Sequence, residues 1–120
     1  MENSELIKQS IIFSINIVDY YKWLINEQHE FVMSKQILRS GTSIGANIHE
    51  AKYAISKADF LNKLYISLKE TSETEYWLII LDKSNYKNNK HYALQKQCEA
   101  LKKMLISSVK TLKNDNLSKK

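Results

Sequence analysis

Apolar residues recur at three- and four-residue steps in four separate stretches of the chain, the pattern of helices that each bury one face. In the first, about 4–25, Ile7, Ile11, Ser14, Val18, Tyr21 and Ile25 fall on one stripe. Ile12, Ile15 and Trp23 form a second apolar line that a helix with one buried face does not need, so a second contact surface is expected on this helix. Asn3 or Ser4 suits its N-cap, and Glu2 and Glu5 suit the positive end of its dipole. Polar residues 26–30 read as the first connection. The second stretch, about 31–54, sets Ile37, Gly41, Ile44, Ile48, Ala51 and Ile55 beside a mostly small polar line of Ser40, Ser43, Asn47 and Glu50. A helical glycine costs about 1 kcal/mol relative to alanine, so Gly41 and Gly45 predict close approach of a neighbouring backbone. A loop at Gly41-Thr42-Ser43 is the alternative, though the spacing passes through it without a change of phase.

Ser56-Lys57-Ala58-Asp59 has the form of a helix start, with Ser56 as cap and Asp59 three residues on. The third helix then runs over about 56–82, with Leu61, Leu64, Leu68, Thr71, Glu75 and Leu78 on its stripe. The polar cluster 84–89 is the next turn. The fourth helix, about 90–112, turns Leu94, Gln97 or Cys98, Leu101, Met104 or Leu105, Ser108 and Leu112 inward. Four helices with short connections imply antiparallel neighbours, hence one all-α, up-and-down four-helix bundle over residues 1–112 and a flexible basic tail over 113–120. A chain without proline and with only two glycines agrees with long helices.

Charge and chemistry narrow the picture further. Net charge is +5, yet residues 87–120 hold nine lysines against Glu99 and Asp115, so the basic excess is C-terminal. Lysines at that end, among them Lys90, Lys96, Lys102, Lys103 and Lys110, suit phosphate contact with RNA or DNA. On a helical wheel these five scatter over a broad arc. The other reading is compositional, since only one basic residue, Arg39, is not lysine, and base-edge readers favour arginine. The lone Cys98 excludes an internal disulfide and points to a reducing compartment, the cytoplasm. No membrane span or signal peptide is expected. The residues three before His29, His49 and His91 are Asn26, Ala46 and Asn88, which lack the Glu-x-x-His pairs of a di-iron bundle. No nucleophile motif or phosphate-cradling glycine loop is present, so neither enzymatic activity nor a cofactor is expected. The histidines read as solvated. Arg39 can hold a carboxylate of Glu50, Glu70 or Glu73 if the second and third helices pack together, or else lie in solvent.

Arg39, Ser43, Asn47 and Glu50 within residues 37–51, then Ser56-Lys57-Ala58-Asp59-Phe60, then Glu70, Glu73, Thr74, Tyr76 and Trp77 within residues 68–78 closely resemble three ordered motifs of one family. It is the four-helix bundle family named for 23S rRNA intervening-sequence proteins. The resemblance implies a left-handed antiparallel bundle and a homopentamer around a central channel. It implies a structural polar network of Arg39, Ser43, Asn47, Glu50, Glu70 and Glu73. Similar proteins include accessory proteins of diversity-generating retroelements, which have a basic surface and partner a reverse transcriptase and nucleic acid. His49 and Lys52 depart from the alanine and glycine common in the family. Its name records a location inside rRNA genes and does not establish RNA binding. Two expectations result: a homo-oligomeric scaffold or accessory factor contacting nucleic acid or a nucleic-acid enzyme through its lysines, and a purely protein-binding oligomer with no nucleic-acid role.

Overall fold

The computed structural model describes residues 4–118, with side chains from 5 to 114. Four helices, α1 (Ser4–Asn26), α2 (Met33–Ala51), α3 (Lys57–Lys83) and α4 (His91–Ser118), pack as an antiparallel bundle in the cyclic order α1-α2-α3-α4. Capping at Asn3 or Ser4 falls outside the described side chains. Glu30 starts α2, its carboxylate accepting the amides of Val32, Met33 and Ser34 at 3.3, 3.2 and 2.7 Å. That cap moves the start of α2 to Met33 and leaves Phe31 and Val32 exposed in the connection. Ser56 Oγ caps α3 by accepting the Asp59 amide at 3.0 Å, and the Asp59 carboxylate accepts the Ile55 amide at 3.2 Å. Because α2 ends at Ala51, Ile55 leaves the stripe expected for it and is 93% exposed. The fourth helix does not stop at Leu112 but continues to Ser118, and Lys113 lies over the Tyr65 ring at 5.2 Å. Lys119 and Lys120 lie outside the described residues.

The inner face of α1 is Leu6, Ser10, Phe13, Ile17, Tyr20 and Leu24, each one position before the expected stripe. This rotation of about 100° turns the largest apolar side chains inward. Helix α2 runs unbroken through Gly41 and keeps its expected stripe as far as Ala51. Gly41 is needed there because a Cβ would meet Ile17 Cγ1 at 2.9 Å; at Gly45 it would meet the Ser14 and Ser10 hydroxyls at 3.2 and 3.3 Å. On α3 the buried line is Leu64, Ser67, Thr71, Thr74, Leu78 and Leu81, and Glu75 lies outside it. Its hydroxyls are all bonded: Ser67 to the Ile44 carbonyl at 2.8 Å, Thr71 to the Ser67 carbonyl at 2.9 Å, and Thr74 to Ser40 Oγ at 2.9 Å. Satisfied in this way, they avoid the cost of about 1–3 kcal/mol attached to an unpaired buried polar group. Of the two pairs left open on α4, Cys98 and Leu105 turn inward.

His91 is not solvated. Only 3% exposed, it donates from Nε2 to the Leu78 carbonyl at 2.9 Å and meets the Tyr20 ring edge-on at 5.5 Å. Because that carbonyl can only accept, the proton of this bond is on Nε2, and Nδ1 is buried without a protein partner. Tyr20 in turn donates its hydroxyl to the Tyr86 carbonyl, so α1, α3, α4 and the last connection meet at this imidazole. Burial lowers the His91 pKa, opposed by the bond to Leu78 and by Asp82, which is itself paired with Lys87 at 2.7 Å.

Two outcomes are expected. Gly41→Val should lower the unfolding free energy by about 1–3 kcal/mol in urea melts, because even its Cβ would overlap the fully buried Ile17. Since the fold favours neutral His91, its contribution is full above the ordinary imidazole value near 6.5 and declines as pH falls towards the lowered folded value. Melting temperature should therefore drop over that acid range in the parent and drop less in His91→Gln.

Candidate functional site

Two polar surfaces stand out against this core. The first runs along the α2–α3 seam, where antiparallel packing brings Arg39 opposite Glu70 and Glu73. Arg39 Nη2 donates to Glu73 Oε1 at 2.6 Å, and Nη1 lies 3.2 Å from Glu70 Oε1 and 3.4 Å from its Oε2. Glu73 Oε2 also accepts from Trp77 Nε1 at 3.2 Å. The hydrogen bond from Arg39 holds the Glu73 carboxyl below its usual range, and the Glu73 bond raises the guanidinium further. Ser43 donates to the Arg39 carbonyl at 2.6 Å and Asn47 to the Ser43 carbonyl at 2.9 Å, so these two side chains run along α2 and do not cross to α3. Glu50, eleven residues and about three turns beyond Arg39, pairs with Lys63 at 2.9 Å. The six residues of the expected network therefore separate into an Arg39–Glu70–Glu73 clamp, a backbone-directed pair, and a separate ion pair.

The second surface is α4. Lys96, Lys103 and Lys110, spaced seven residues apart, lie on one outward stripe opposite the buried Cys98, Leu101, Leu105 and Leu112. At 1.5 Å per residue their Cα atoms are about 10 Å apart. Lys103 and Lys110 form no ion pair among the described residues; Lys96 has Glu99 at 4.0 Å and the Tyr92 ring at 5.3 Å. Lys102 instead turns to the α3 side, where Glu75 accepts from its Nζ at 3.1 and 3.2 Å, and Lys90 stands on the α1 side. The broad arc of five lysines resolves into three outward charges and two diverted ones.

Neither surface carries a nucleophile with a base. Cys98 is buried with its Sγ 3.6 Å from the Thr71 carbonyl, and burial pushes the thiol up to about 12. Among the described residues no group of three or more His, Cys, Asp and Glu side chains could hold a metal ion, and no helix is long and apolar enough to cross a membrane. Exposed apolar side chains on the outside of α1, Ile11 at 53%, Ile12 at 38% and Ile15 at 56%, form a third feature. Ile12 and Ile15 belong to the second apolar line; Trp23, the third member, packs partly against the core.

The family model described as 23S rRNA-intervening sequence protein matches residues 2–107, from α1 into the fourth helix. The chain belongs to that family. A solved member of the S23 ribosomal protein family, a protein of unknown function from Bacteroides thetaiotaomicron VPI-5482, is 51% identical. The likeness covers 92% of this chain and 99% of that one with a TM-score of 0.88. No curated protein matches the chain. In this 23S rRNA-intervening sequence protein family member the Arg39 clamp is half exposed, and its stabilising effect is discounted accordingly. A double-mutant cycle of Arg39→Ala with Glu73→Gln should give a coupling of about 0.5–1 kcal/mol at neutral pH. Because the Glu73 carboxyl titrates below the ordinary range when folded, the coupling should persist there and vanish only as pH falls through that depressed value.

Proposed function

We propose that this chain is a non-enzymatic, homo-oligomeric scaffold or accessory factor that contacts nucleic-acid phosphates through the outward face of α4. The observation that carries this reading is the stripe of Lys96, Lys103 and Lys110, of which the last two form no ion pair among the described residues. A lysine already engaged, as Lys102 is with Glu75, offers little to a phosphate. Assembly is supported by Ile11, Ile12 and Ile15, which are apolar, exposed and central on α1, and five subunits is the count that the family resemblance implies. Repetition of the stripe in each subunit would raise affinity through multivalency, even with weak binding per copy. The unpaired thiol of Cys98 fits a cytoplasmic setting.

Light scattering should return a mass several times 14.1 kDa. RNA and duplex DNA should both bind with little sequence preference, with log K falling steeply as log salt rises. Replacing Lys96, Lys103 and Lys110 together with glutamine should keep the assembly, since helix propensity hardly changes, and should make the salt slope shallower. A parent that binds no nucleic acid at low salt, or a triple variant that binds as well as the parent, would leave the purely protein-binding oligomer as the reading.

A further inference from the structure

The seam between α1 and α4 opens near the last connection into a cavity of about 470 Å³, of a size that takes a small planar ligand. Trp23, Ala93 and Leu94 give it apolar walls, and Trp23 is braced by stacking on Tyr20, with ring centroids 5.9 Å apart and planes 15° from parallel. Across the seam Asn16 Nδ2 donates to Gln97 Oε1 at 3.1 Å. One such bond leaves each amide further donor and acceptor capacity, the pattern that reads the edge of a nucleobase. Lys90 stands at one margin without an ion pair among the described residues, and Asn88 Oδ1 fixes the backbone there by accepting the Lys90 amide at 3.0 Å.

We infer that this seam is a binding site for an unpaired base of a single nucleic-acid strand, with the base against Trp23, its edge on Asn16 and Gln97, and its phosphate on Lys90. The inference rests on the nucleic-acid reading of α4 and names its ligand more closely. Continuity argues for a strand: beyond the seam on α4 comes Tyr92, exposed and with Lys96 over its ring, and Lys96 begins the outward lysine stripe. Alternation of aromatic faces and lysines is how single strands are held without sequence preference. The exposed carboxylate of Asp19 on the cavity wall disfavours a phosphate on the α1 side and leaves Lys90 as its place.

Trp23 reports on the site directly. In Trp77→Phe it is the remaining indole, so its fluorescence can be followed while a labelled, unstructured short oligonucleotide is titrated at low salt and anisotropy is read in parallel. Quenching of Trp23 should track the anisotropy, and a duplex of the same sequence should bind without quenching. Ala93→Phe, which fills the cavity from an exposed position, and Gln97→Leu should each weaken strand binding about tenfold, within the range for loss of one stacked base. A free purine mononucleotide should quench Trp23 only at much higher concentration; equal affinity would overturn the assignment of a strand. Binding by anisotropy with Trp23 silent and both cavity variants equal to the parent would overturn the seam site while leaving the lysine stripe standing. Absence of any strand binding would remove the stripe reading and this inference together.

Discussion

Everything inside the bundle depends on how closely α1 can approach α2, and Gly41 decides that. With Ile17 Cγ1 only 2.9 Å from the position of a Cβ, the side chain of one helix rests almost on the backbone of the other. The middle of the inner lines of α2 and α3 is correspondingly slight, with Ser40, Gly41, Ser67, Thr71 and Thr74 all buried. Phe13, Ile17 and Leu24 on α1 and Leu101 and Leu105 on α4 supply bulk, together with Ile37 and Ile44 on α2 and Leu64, Leu78 and Leu81 on α3, which flank the small residues along their own helices. Close-packed interiors tolerate neither voids nor overlap, so small residues where two helices approach closely and large ones beside them are one constraint seen from two sides. The hydroxyls that fill the narrow part add directional bonds where dispersion contacts are few.

This dependence explains what could be read from the residues alone. Helix α2 was legible because its outward side is polar, so only one phase buries Ile37, Ile44 and Ile48. Helix α1 carries apolar residues on its outer side as well, and periodicity fits more than one phase of such a helix. Side-chain volume breaks the tie: the buried line takes Leu6, Phe13 and Leu24, and Ser10 falls opposite Gly45, where only a small group fits. The α3 line of Ser67, Thr71 and Thr74 has helical spacing but hydroxyl side chains, and the expected stripe keeps Thr71 while taking Leu68 and Glu75 in place of Ser67 and Thr74. His91 gave no signal because its partner, the Leu78 carbonyl, is a backbone group thirteen residues away.

The lysines show the same limit at the surface. A wheel shows that Lys96, Lys103 and Lys110 share a side, but it does not show that Lys102 is neutralised by Glu75 on another helix. Formal charge counts all five alike, whereas a phosphate meets only those with no nearer partner. Arg39 behaves in the opposite way: its partners Glu70 and Glu73 follow from antiparallel packing of two adjacent helices, yet its half exposure makes the clamp a modest contributor.

The outer features also have a geometric relation. Helices α1 and α4 are neighbours in the ring, so the exposed isoleucines and the lysine stripe occupy adjacent flanks of a bundle only about 22 Å across. An assembly that covered the isoleucines would leave the lysines at the margin of the contact, where water still reaches them. Charges at such a margin keep their solvation and lose little on meeting phosphates, while charges inside the contact would have to be desolvated at a cost of several kcal/mol each. Apolar residues on α1 and unpaired cations on α4 are thus compatible in one molecule because the bundle holds them on different faces: the first surface can be buried against a copy without removing the second from solvent.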